Sequence, residues 1–258
     1  MTTSLLLVEP AGAGIVRFTL NRPDKRNALS IELVEAVLAA LTAAEANPAN
    51  RVLILTAAGP AFCAGLDLAE AADATKAHRS SELIGELLHR LATTRLVTIA
   101  AVHGAAIAGG AGVMSACDFV VAEEATQIGY PETRRGLVAA LVMAFLRRQL
   151  RERDARQILL TGSLFTARRA LEMGLVNEIA SGDQVPLRAA ALAQEVLQGG
   201  PEAVVHTKRL LAELWPTPLP ADFEKAMVVH RAVRGSAEIQ EGIAAFREKR
   251  PPKWAPKG

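Results

Sequence analysis

A stretch of 22 residues without Asp, Glu, Lys or Arg, from Leu96 to Cys117, most constrains what this chain can fold into. Its length would allow it to span a bilayer. It contains His103 and four glycines, however, and its small residues make it only weakly hydrophobic. The pattern therefore favours a buried strand, LVTIAAVHG, followed by a glycine-rich turn and a buried helix.

Strand and helix patterns alternate over the first three-quarters of the chain, which indicates an α/β protein. SLLLVEP and GIVRFTLN predict a hairpin, and RVLILTA predicts a strand covered on both faces. Ser30 is positioned to cap a helix with an apolar face, and a second amphipathic helix is predicted from Ser80 to Arg95. After Asp183 the pattern is helical, over 183–198, 201–214, 220–233 and 236–248.

Charge and cysteine content exclude several classes of partner. The 29 basic and 27 acidic residues are interspersed, so we expect neither nucleic-acid nor membrane binding. Cys63 and Cys117 lie in apolar surroundings without metal-ligand spacing, which predicts reduced, buried thiols and no metal site. The first residues, MTTSLLLVEP, lack the features of a secretion signal. Together these observations predict a cytoplasmic protein.

Two loops of similar design follow buried strands, AFCAGLDL at 61–68 and HGAAIAGGAG at 103–112. Small residues at these turns let a ligand approach the backbone closely. Two such loops side by side would direct two N–H groups at one oxygen and form an oxyanion hole. Tight packing alone is the competing explanation. The second loop lacks the spacing and the Lys-Ser/Thr pair of phosphate-binding loops.

Five motifs occur in an order and spacing that resemble the crotonase, or enoyl-CoA hydratase/isomerase, superfamily. They are LNRPDKRNALS, AFCAGLDL, HGAAIAGGAG with ACD, GYPETRRGLV and EGIAAFREKR. The resemblance implies a spiral of ββα units with a C-terminal helical trimerisation region, divided as residues 1–190 and 191–258. It also implies a homotrimer or homohexamer that binds acyl-CoA, with coenzyme A as part of the substrate and no tightly bound cofactor.

Carried over residue by residue, the resemblance assigns the two oxyanion donors to the backbone N–H groups of Leu66 and Gly109. Such donors stabilise the negative charge that develops on a thioester oxygen. The resemblance also implies contacts with coenzyme A, and the positions concerned are Arg26, Ala28, Ala64, Asp67, Leu68, Phe246 and Lys249. Solvated charge at Arg26 and ordinary helix packing at Phe246 are the alternatives.

The catalytic acids depart from the family pattern. Many hydratases that this chain resembles carry two glutamates, and only one of them, Glu132, is present here. Gly112 occupies the position of the other. We expect Glu132 to be the general acid/base, with a pKa raised by an apolar pocket. The alternative is that Glu132 only pairs with Arg134 or Arg135.

The single acid leaves three functions open. The motif wording is most similar to bacterial methylglutaconyl-CoA hydratases, which favours hydration of a short or branched 2-enoyl-CoA. A 3,2-enoyl-CoA isomerase needs only one base, and a non-catalytic acyl-CoA-binding subunit needs none. A substrate with a distal carboxylate would require a cation, for which Arg134, Arg135 and His103 are candidates. Glu82 or Glu86 is a candidate to replace the missing acid at Gly112.

Overall fold

The computed structural model describes residues 4–214, 219–234 and 236–253. The strands are Leu6–Pro10 (β1), Ile15–Leu20 (β2), Val52–Ala57 (β3), Val97–Val102 (β4), Ala105–Ile107 (β5), Phe119–Glu123 (β6), Gln127–Gly129 (β7), Phe165–Thr166 (β8) and Glu178–Ala180 (β9). The helices are Ile31–Ala46 (α1), Leu68–Ala72 (α2), Ala77–Thr93 (α3), Gly109–Ser115 (α4), Ala140–Gln149 (α5), Glu152–Thr161 (α6), Ala167–Met173 (α7), Val185–Leu197 (α8), Pro201–Leu214 (α9), Leu219–Arg234 (α10) and Ala237–Arg247 (α11). Short 3₁₀ turns span Pro23–Lys25 and Pro131–Arg135.

The strands form a six-stranded sheet in the order β1-β2-β3-β4-β6-β9 and a three-stranded sheet in the order β5-β7-β8. β1 and β2 pair antiparallel, as the predicted hairpin requires, and the rest of the larger sheet is parallel. In the smaller sheet β5 and β7 are parallel. The α/β prediction is confirmed.

The charge-free stretch forms the centre of the molecule. Every residue of β4 is buried, with alternate side chains in two separate apolar clusters. α8 covers one face of β4 through Val185, Ala189 and Ala193. α4 continues the stretch as a helix in which every residue is buried. Burial on two faces explains why the sequence here carries no charge.

The predicted α1 is confirmed in detail. The hydroxyl of Ser30 accepts a hydrogen bond from the backbone N–H of Leu33 at 3.3 Å, which satisfies one of the free donors at the helix start. The apolar positions predicted to face inward are all buried. α3 begins three residues before the predicted Ser80.

The connection from α7 to the sheet starts at Gly174, which ends α7 in a left-handed conformation with φ +89°. The strand that follows, β9, begins at Glu178. Asn177 nevertheless forms two hydrogen bonds with Val120 of β6. Its backbone N–H donates to the Val120 carbonyl, and its side-chain oxygen accepts from the Val120 N–H. The residues between helix and strand therefore serve as a connection between α7 and the sheet.

The C-terminal helices return to the α/β core. α10 packs against α5 and adds Phe223 and Ala226 to the main apolar cluster, while α11 packs against the Pro131–Arg135 turn. The predicted boundary at residues 190/191 falls inside α8, and the division into two regions stays a prediction. Within the described part of the chain, no helix combines the length and apolar character that crossing a membrane requires.

Candidate active site

Two neighbouring parallel strands, β5 and β7, determine where the candidate residues lie. Ile107 pairs with Gly129, and the N–H of Ala108 donates to the carbonyl of Gly129 at 2.8 Å. Gly109 follows directly after β5, and Glu132 follows shortly after β7. Because parallel strands end at the same edge of a sheet, Gly109 and Glu132 are brought to the same side.

The 61–68 loop lies beside β5, as the sequence predicts for the two small-residue loops. The N–H groups of Phe62 and Cys63 donate to the carbonyls of His103 and Ala105, each at 3.0 Å. The N–H of Ile107 donates back to Cys63, also at 3.0 Å. This pairing carries the loop past the start of α4 and brings Leu66 next to Gly109.

Close approach of the two loops explains their glycines. Gly65 has φ +92°, and a Cβ there would lie 2.7 Å from the carbonyl oxygen of Ile107 and 3.2 Å from the N of Gly109. A Cβ on Gly110 would clash with the carbonyl of Cys63. A side chain at either position would separate the loops, so the tight-packing explanation and the oxyanion-hole explanation describe one arrangement.

The N–H groups of Leu66 and Gly109 are two free donors at this junction. Neither donates a hydrogen bond to another group in the described ranges. Gly109 is the first residue of α4, where a backbone N–H has no partner within the helix. The preceding residue, Ala108, holds an uncommon backbone conformation, φ 52° and ψ −122°, at the turn between β5 and α4. The pair can hold one oxygen; its role stays a prediction.

Glu132 is nine-tenths buried, and burial raises its pKa to about 7 from an ordinary value of 4.5. Its Oε2 accepts no hydrogen bond from the described residues. The alternative of a simple ion pair is not supported. Arg134 instead donates to Thr161 and Ser163, and the guanidinium of Arg135 lies 4.7 Å from the ring of Phe246. The positive charge of Arg135 lowers the pKa of Glu132, but less than burial raises it.

A hydrogen bond between Tyr130 and Ser115 fixes the Glu132 turn to α4. The two hydroxyls are 2.7 Å apart and both side chains are buried. Tyr130 ends the connection from β7, and Ser115 is the last residue of the helix that begins at Gly109. A buried hydrogen bond thus joins the turn that carries Glu132 to the helix that begins at Gly109.

Leu66, Gly109 and Glu132 line one cavity. Most of the remaining wall is apolar, from Ile84, Leu88, Leu137, Val138, Leu141 and Val142. Two polar residues of α10, His230 and Arg234, complete it. Neither residue was predicted from the sequence. Their amphipathic segment, MVVHRAVR, gave no signal beyond a helix with a charged face.

Gly112 has apolar neighbours, and the expectation that Glu82 or Glu86 fills its place is wrong. A Cβ on Gly112 would lie 3.2 Å from Val142 and 3.5 Å from Leu88. Glu82 is bound to Arg231, and Glu86 is exposed. Leu88 and Val142 therefore occupy the space beside the position where many hydratases that this chain resembles carry their second acid.

Five of the predicted coenzyme A positions cluster at the outer end of the 61–68 loop. The N–H of Ala64 donates to the carbonyl of Arg26 at 3.0 Å, and Ala28 lies in the same turn. Asp67 caps α2, which begins at Leu68, and its carboxylate is 2.6 Å from Arg22. That side chain is already engaged, so any contact it makes with a nucleotide competes with this ion pair.

Phe246 lies at the end of α11, which packs against the Glu132 turn, and Lys249 follows two residues after this helix. Phe246 is 48% exposed and packs against Arg135. The N–H of Lys249 donates to the carbonyl of Phe246 at 3.3 Å, and Lys249 has a left-handed φ of 53°. Their contact with coenzyme A, like that of the other five positions, stays a prediction.

None of the three cations suggested for a distal carboxylate lines the cavity. Arg134 and Arg135 are engaged as described above, and the ring of His103 bonds to the carbonyl of Gly59 at 2.9 Å. Arg234 is the cation that lines it. Across the described ranges, no cluster of three or more His, Cys, Asp or Glu side chains could hold a metal ion.

Leu66, Gly109 and the buried carboxyl of Glu132 thus line a single, mostly apolar cavity. Such an arrangement is suited to proton transfer beside a developing oxyanion. The chain belongs to the enoyl-CoA hydratase/isomerase family, whose model matches residues 10–257. The fold is the crotonase fold, and the protein is an enzyme of the enoyl-CoA hydratase type.

Individual relatives agree with this assignment. A Thermus thermophilus protein named as an enoyl-CoA hydratase is 43% identical over 91% of this chain and 95% of its own. An Aspergillus fumigatus protein named mevalonyl-coenzyme A hydratase is 34% identical over 94% of this chain and 92% of its own. A solved structure from Mycobacterium avium paratuberculosis, also named as an enoyl-CoA hydratase, superposes with a TM-score of 0.89 at 33% identity, covering 98% of this chain and all of that one.

Proposed function

We propose that this protein reversibly hydrates a short or branched 2-enoyl-CoA, with Glu132 as the general acid/base. The backbone N–H groups of Leu66 and Gly109 hold the thioester oxygen. The observation that carries the proposal is the state of Glu132, a buried carboxyl with a pKa near 7 and a free oxygen. It lines the same cavity as both donors.

A single carboxyl is sufficient for hydration if it acts twice. As a carboxylate it accepts a proton from the water that adds to Cβ, and electron density moves onto the thioester oxygen. The two N–H donors stabilise that enolate, and one such donor is worth about 3 kcal/mol in a dry site. The carboxylic acid then returns the proton to Cα. A pKa near the working pH suits both steps.

The finer proposal is that the substrate pair is 3-methylglutaconyl-CoA and 3-hydroxy-3-methylglutaryl-CoA. The wording of the motifs supports it. A relative named for mevalonyl-CoA, a branched acyl-CoA, supports a branched substrate in general. The coenzyme A moiety would lie along Arg26, Ala28, Ala64, Asp67 and Leu68, with Phe246 and Lys249 closing over the nucleotide.

A 3,2-enoyl-CoA isomerase is the second candidate, and the surroundings of Gly112 favour it. Isomerisation moves one proton from Cα to Cγ and needs no oriented water. Leu88 and Val142 beside Gly112 offer no group that would orient one. A non-catalytic acyl-CoA-binding subunit is less well supported, since Glu132 is retained with a raised pKa.

Glu132→Gln tests the proposal, with Glu86→Gln as the matched control because Glu86 is exposed on α3 and outside the cavity. Purified protein is given 2-butenoyl-CoA and 3-butenoyl-CoA in separate reactions. We expect hydration of the former, a loss of about 10³-fold in kcat for Glu132→Gln, and unchanged activity for Glu86→Gln. Binding of butyryl-CoA, measured by calorimetry, should persist in both variants.

Three results would contradict it. Near wild-type turnover by Glu132→Gln would show that Glu132 is not the general acid/base. Migration of the 3-enoyl double bond without hydration would favour the isomerase. Binding of butyryl-CoA without turnover of either substrate would favour the non-catalytic subunit.

We also propose assembly as a homotrimer or homohexamer through the C-terminal helices. α9 has no buried residue, and its apolar side chains Leu210, Leu211 and Leu214 are all more than half exposed. An apolar face of this kind on a separate helix is typical of an interface. Sedimentation equilibrium of wild type and of Leu211→Asp distinguishes the trimer, the hexamer and the monomer.

A further inference from the structure

The guanidinium of Arg234 is the one charged group of the cavity wall, Glu132 apart, among the residues that the structure describes. Its Nε and both terminal nitrogens are buried, and none has a hydrogen-bond partner in those residues. Burial of an unpaired cation costs several kcal/mol, and proteins rarely retain one without a counter-charge. Burial also lowers the pKa of Arg234 from its usual value.

Glu132 does not supply that counter-charge. Its Oε2 lacks a partner just as the Arg234 nitrogens do, so the two groups are not bonded to each other. The cation that acts on the pKa of Glu132 is Arg135, and the pKa of Arg234 is perturbed by burial alone. The carboxyl and the guanidinium therefore line the same cavity without pairing with each other.

His230, one turn before Arg234 on α10, is a neutral neighbour. Burial and the positive charge of Arg234 lower its pKa to about 4, so its ring is uncharged near pH 7. The ring forms a short contact with the hydroxyl of Ser81. The rest of the wall is apolar or backbone. At Arg234 the cavity thus presents one positive charge that no described residue pairs with.

We propose that Arg234 binds a carboxylate at the distal end of the acyl chain, so that the preferred substrate is a 2-enoyl-CoA whose acyl group ends in a carboxylate. This inference rests on the proposed function and specifies its substrate class. A guanidinium binds a carboxylate through two parallel hydrogen bonds, a geometry that a hydroxyl or a methyl group cannot match. Leu66, Gly109, Glu132 and Arg234 line one cavity, so an acyl chain whose thioester oxygen is held at Leu66 and Gly109 would share that cavity with the guanidinium.

The test compares two substrates of similar chain length, glutaconyl-CoA, which ends in a carboxylate, and 2-hexenoyl-CoA, which does not. Hydration is followed by the loss of the enoyl-thioester absorbance for wild type, Arg234→Met and Arg234→Lys. Arg231→Gln is the matched control, because Arg231 lies three residues earlier on α10, exposed and bound to Glu82. Circular dichroism melting verifies that each variant is folded.

We expect wild type to prefer glutaconyl-CoA, and we expect the ratio of the two kcat/KM values to fall about 100-fold in Arg234→Met. Arg234→Lys should retain part of the preference, and Arg231→Gln should retain all of it. Equal use of both substrates by wild type, or an unchanged ratio in Arg234→Met, would overturn the proposal. Either result would indicate that Arg234 is neutralised in another way, for example by an acidic group of a second subunit.

Calorimetric binding of the saturated analogues glutaryl-CoA and hexanoyl-CoA separates this inference from the hydratase proposal. If neither enoyl-CoA is hydrated but glutaryl-CoA binds more tightly and Arg234→Met removes the difference, the function is wrong and the carboxylate site stands. If hydration occurs and glutaryl-CoA gains no affinity over hexanoyl-CoA, the function stands and the carboxylate site is refuted.

Discussion

Replacement of Glu132 by Gln should change how the stability of the protein depends on pH. Burial raises the pKa of this carboxyl from 4.5 in the unfolded chain to about 7 in the folded protein. Each unit of pKa difference corresponds to about 1.4 kcal/mol between the two protonation states, so the full effect is about 3 kcal/mol.

The sign of this pH dependence follows from which state, folded or unfolded, retains the proton. Below pH 4.5 the carboxyl is protonated in both states and contributes nothing. Between pH 4.5 and 7 the folded state retains a proton that the unfolded state loses, so the free energy of unfolding falls as the pH rises. Above pH 7 both states are ionised, and the folded protein carries the full cost of a buried charge. Gln at this position has no proton to lose.

Urea unfolding of wild type and Glu132→Gln at pH 5 and pH 8.5 measures the effect. The free energy of unfolding of wild type should fall by roughly 2 to 3 kcal/mol more than that of the variant across this interval. Glu86→Gln, at an exposed position, should follow wild type. Parallel pH profiles for wild type and Glu132→Gln would refute the argument, because they would mean that Glu132 titrates in the folded protein as it does in water.

Three further predictions concern the framework of the site. Gly110→Ala should destabilise the protein by at least about 3 kcal/mol in thermal melts, because its Cβ would clash with the backbone carbonyl of Cys63; Gly200→Ala, where the nearest atom is 3.7 Å away, is the control that should not. Asp67→Ala should cost about 1 to 2 kcal/mol in urea unfolding, because it removes the α2 cap and an ion pair, and an unchanged midpoint would contradict this. Burial raises the pKa of both thiols, Cys63 and Cys117, to about 12, so neither should react with a thiol reagent at pH 8 until the protein unfolds.

The sequence was most informative where local chemistry determines structure. The Ser30 cap, the hairpin of β1 and β2 and the uncharged β4 follow from residue types and periodicity, and the structure has all three. The family resemblance implied that the two small-residue loops lie together, since it assigned one oxyanion donor to each loop. Backbone hydrogen bonds between residues 62–63 and 103–107 hold them there.

Helix periodicity could also have corrected the expectation that Glu82 or Glu86 replaces the missing acid. Ile84 and Leu88 are one turn apart on α3, and both line the cavity. Glu82 and Glu86 are likewise one turn apart and point to another face, where Glu82 meets Arg231. A side chain that replaces the missing acid had to come from the first face, and that face is apolar.

Arg234 could not have been predicted in the same way. It lies about a hundred positions after Glu132 in the sequence, on a helix with an unremarkable pattern of charges. Its place in the cavity depends on the packing of α10 against α5 and α3. No local rule encodes that long-range contact, and the same sequence on a solvated helix would expose the guanidinium.

The missing acid and the raised pKa of Glu132 can be understood as one feature. In a pair of close carboxyls, repulsion between the charges separates the two pKa values and divides the roles of acid and base between them. A lone carboxyl must perform both roles, which requires a pKa near the working pH, and desolvation is the means left to raise it. Leu88 and Val142, beside Gly112, contribute apolar surface to the cavity where a second carboxylate would have brought charge and water. On this argument, the apolar side chains beside Gly112 also contribute to the desolvation that raises the pKa of Glu132, so that one carboxyl can perform both roles.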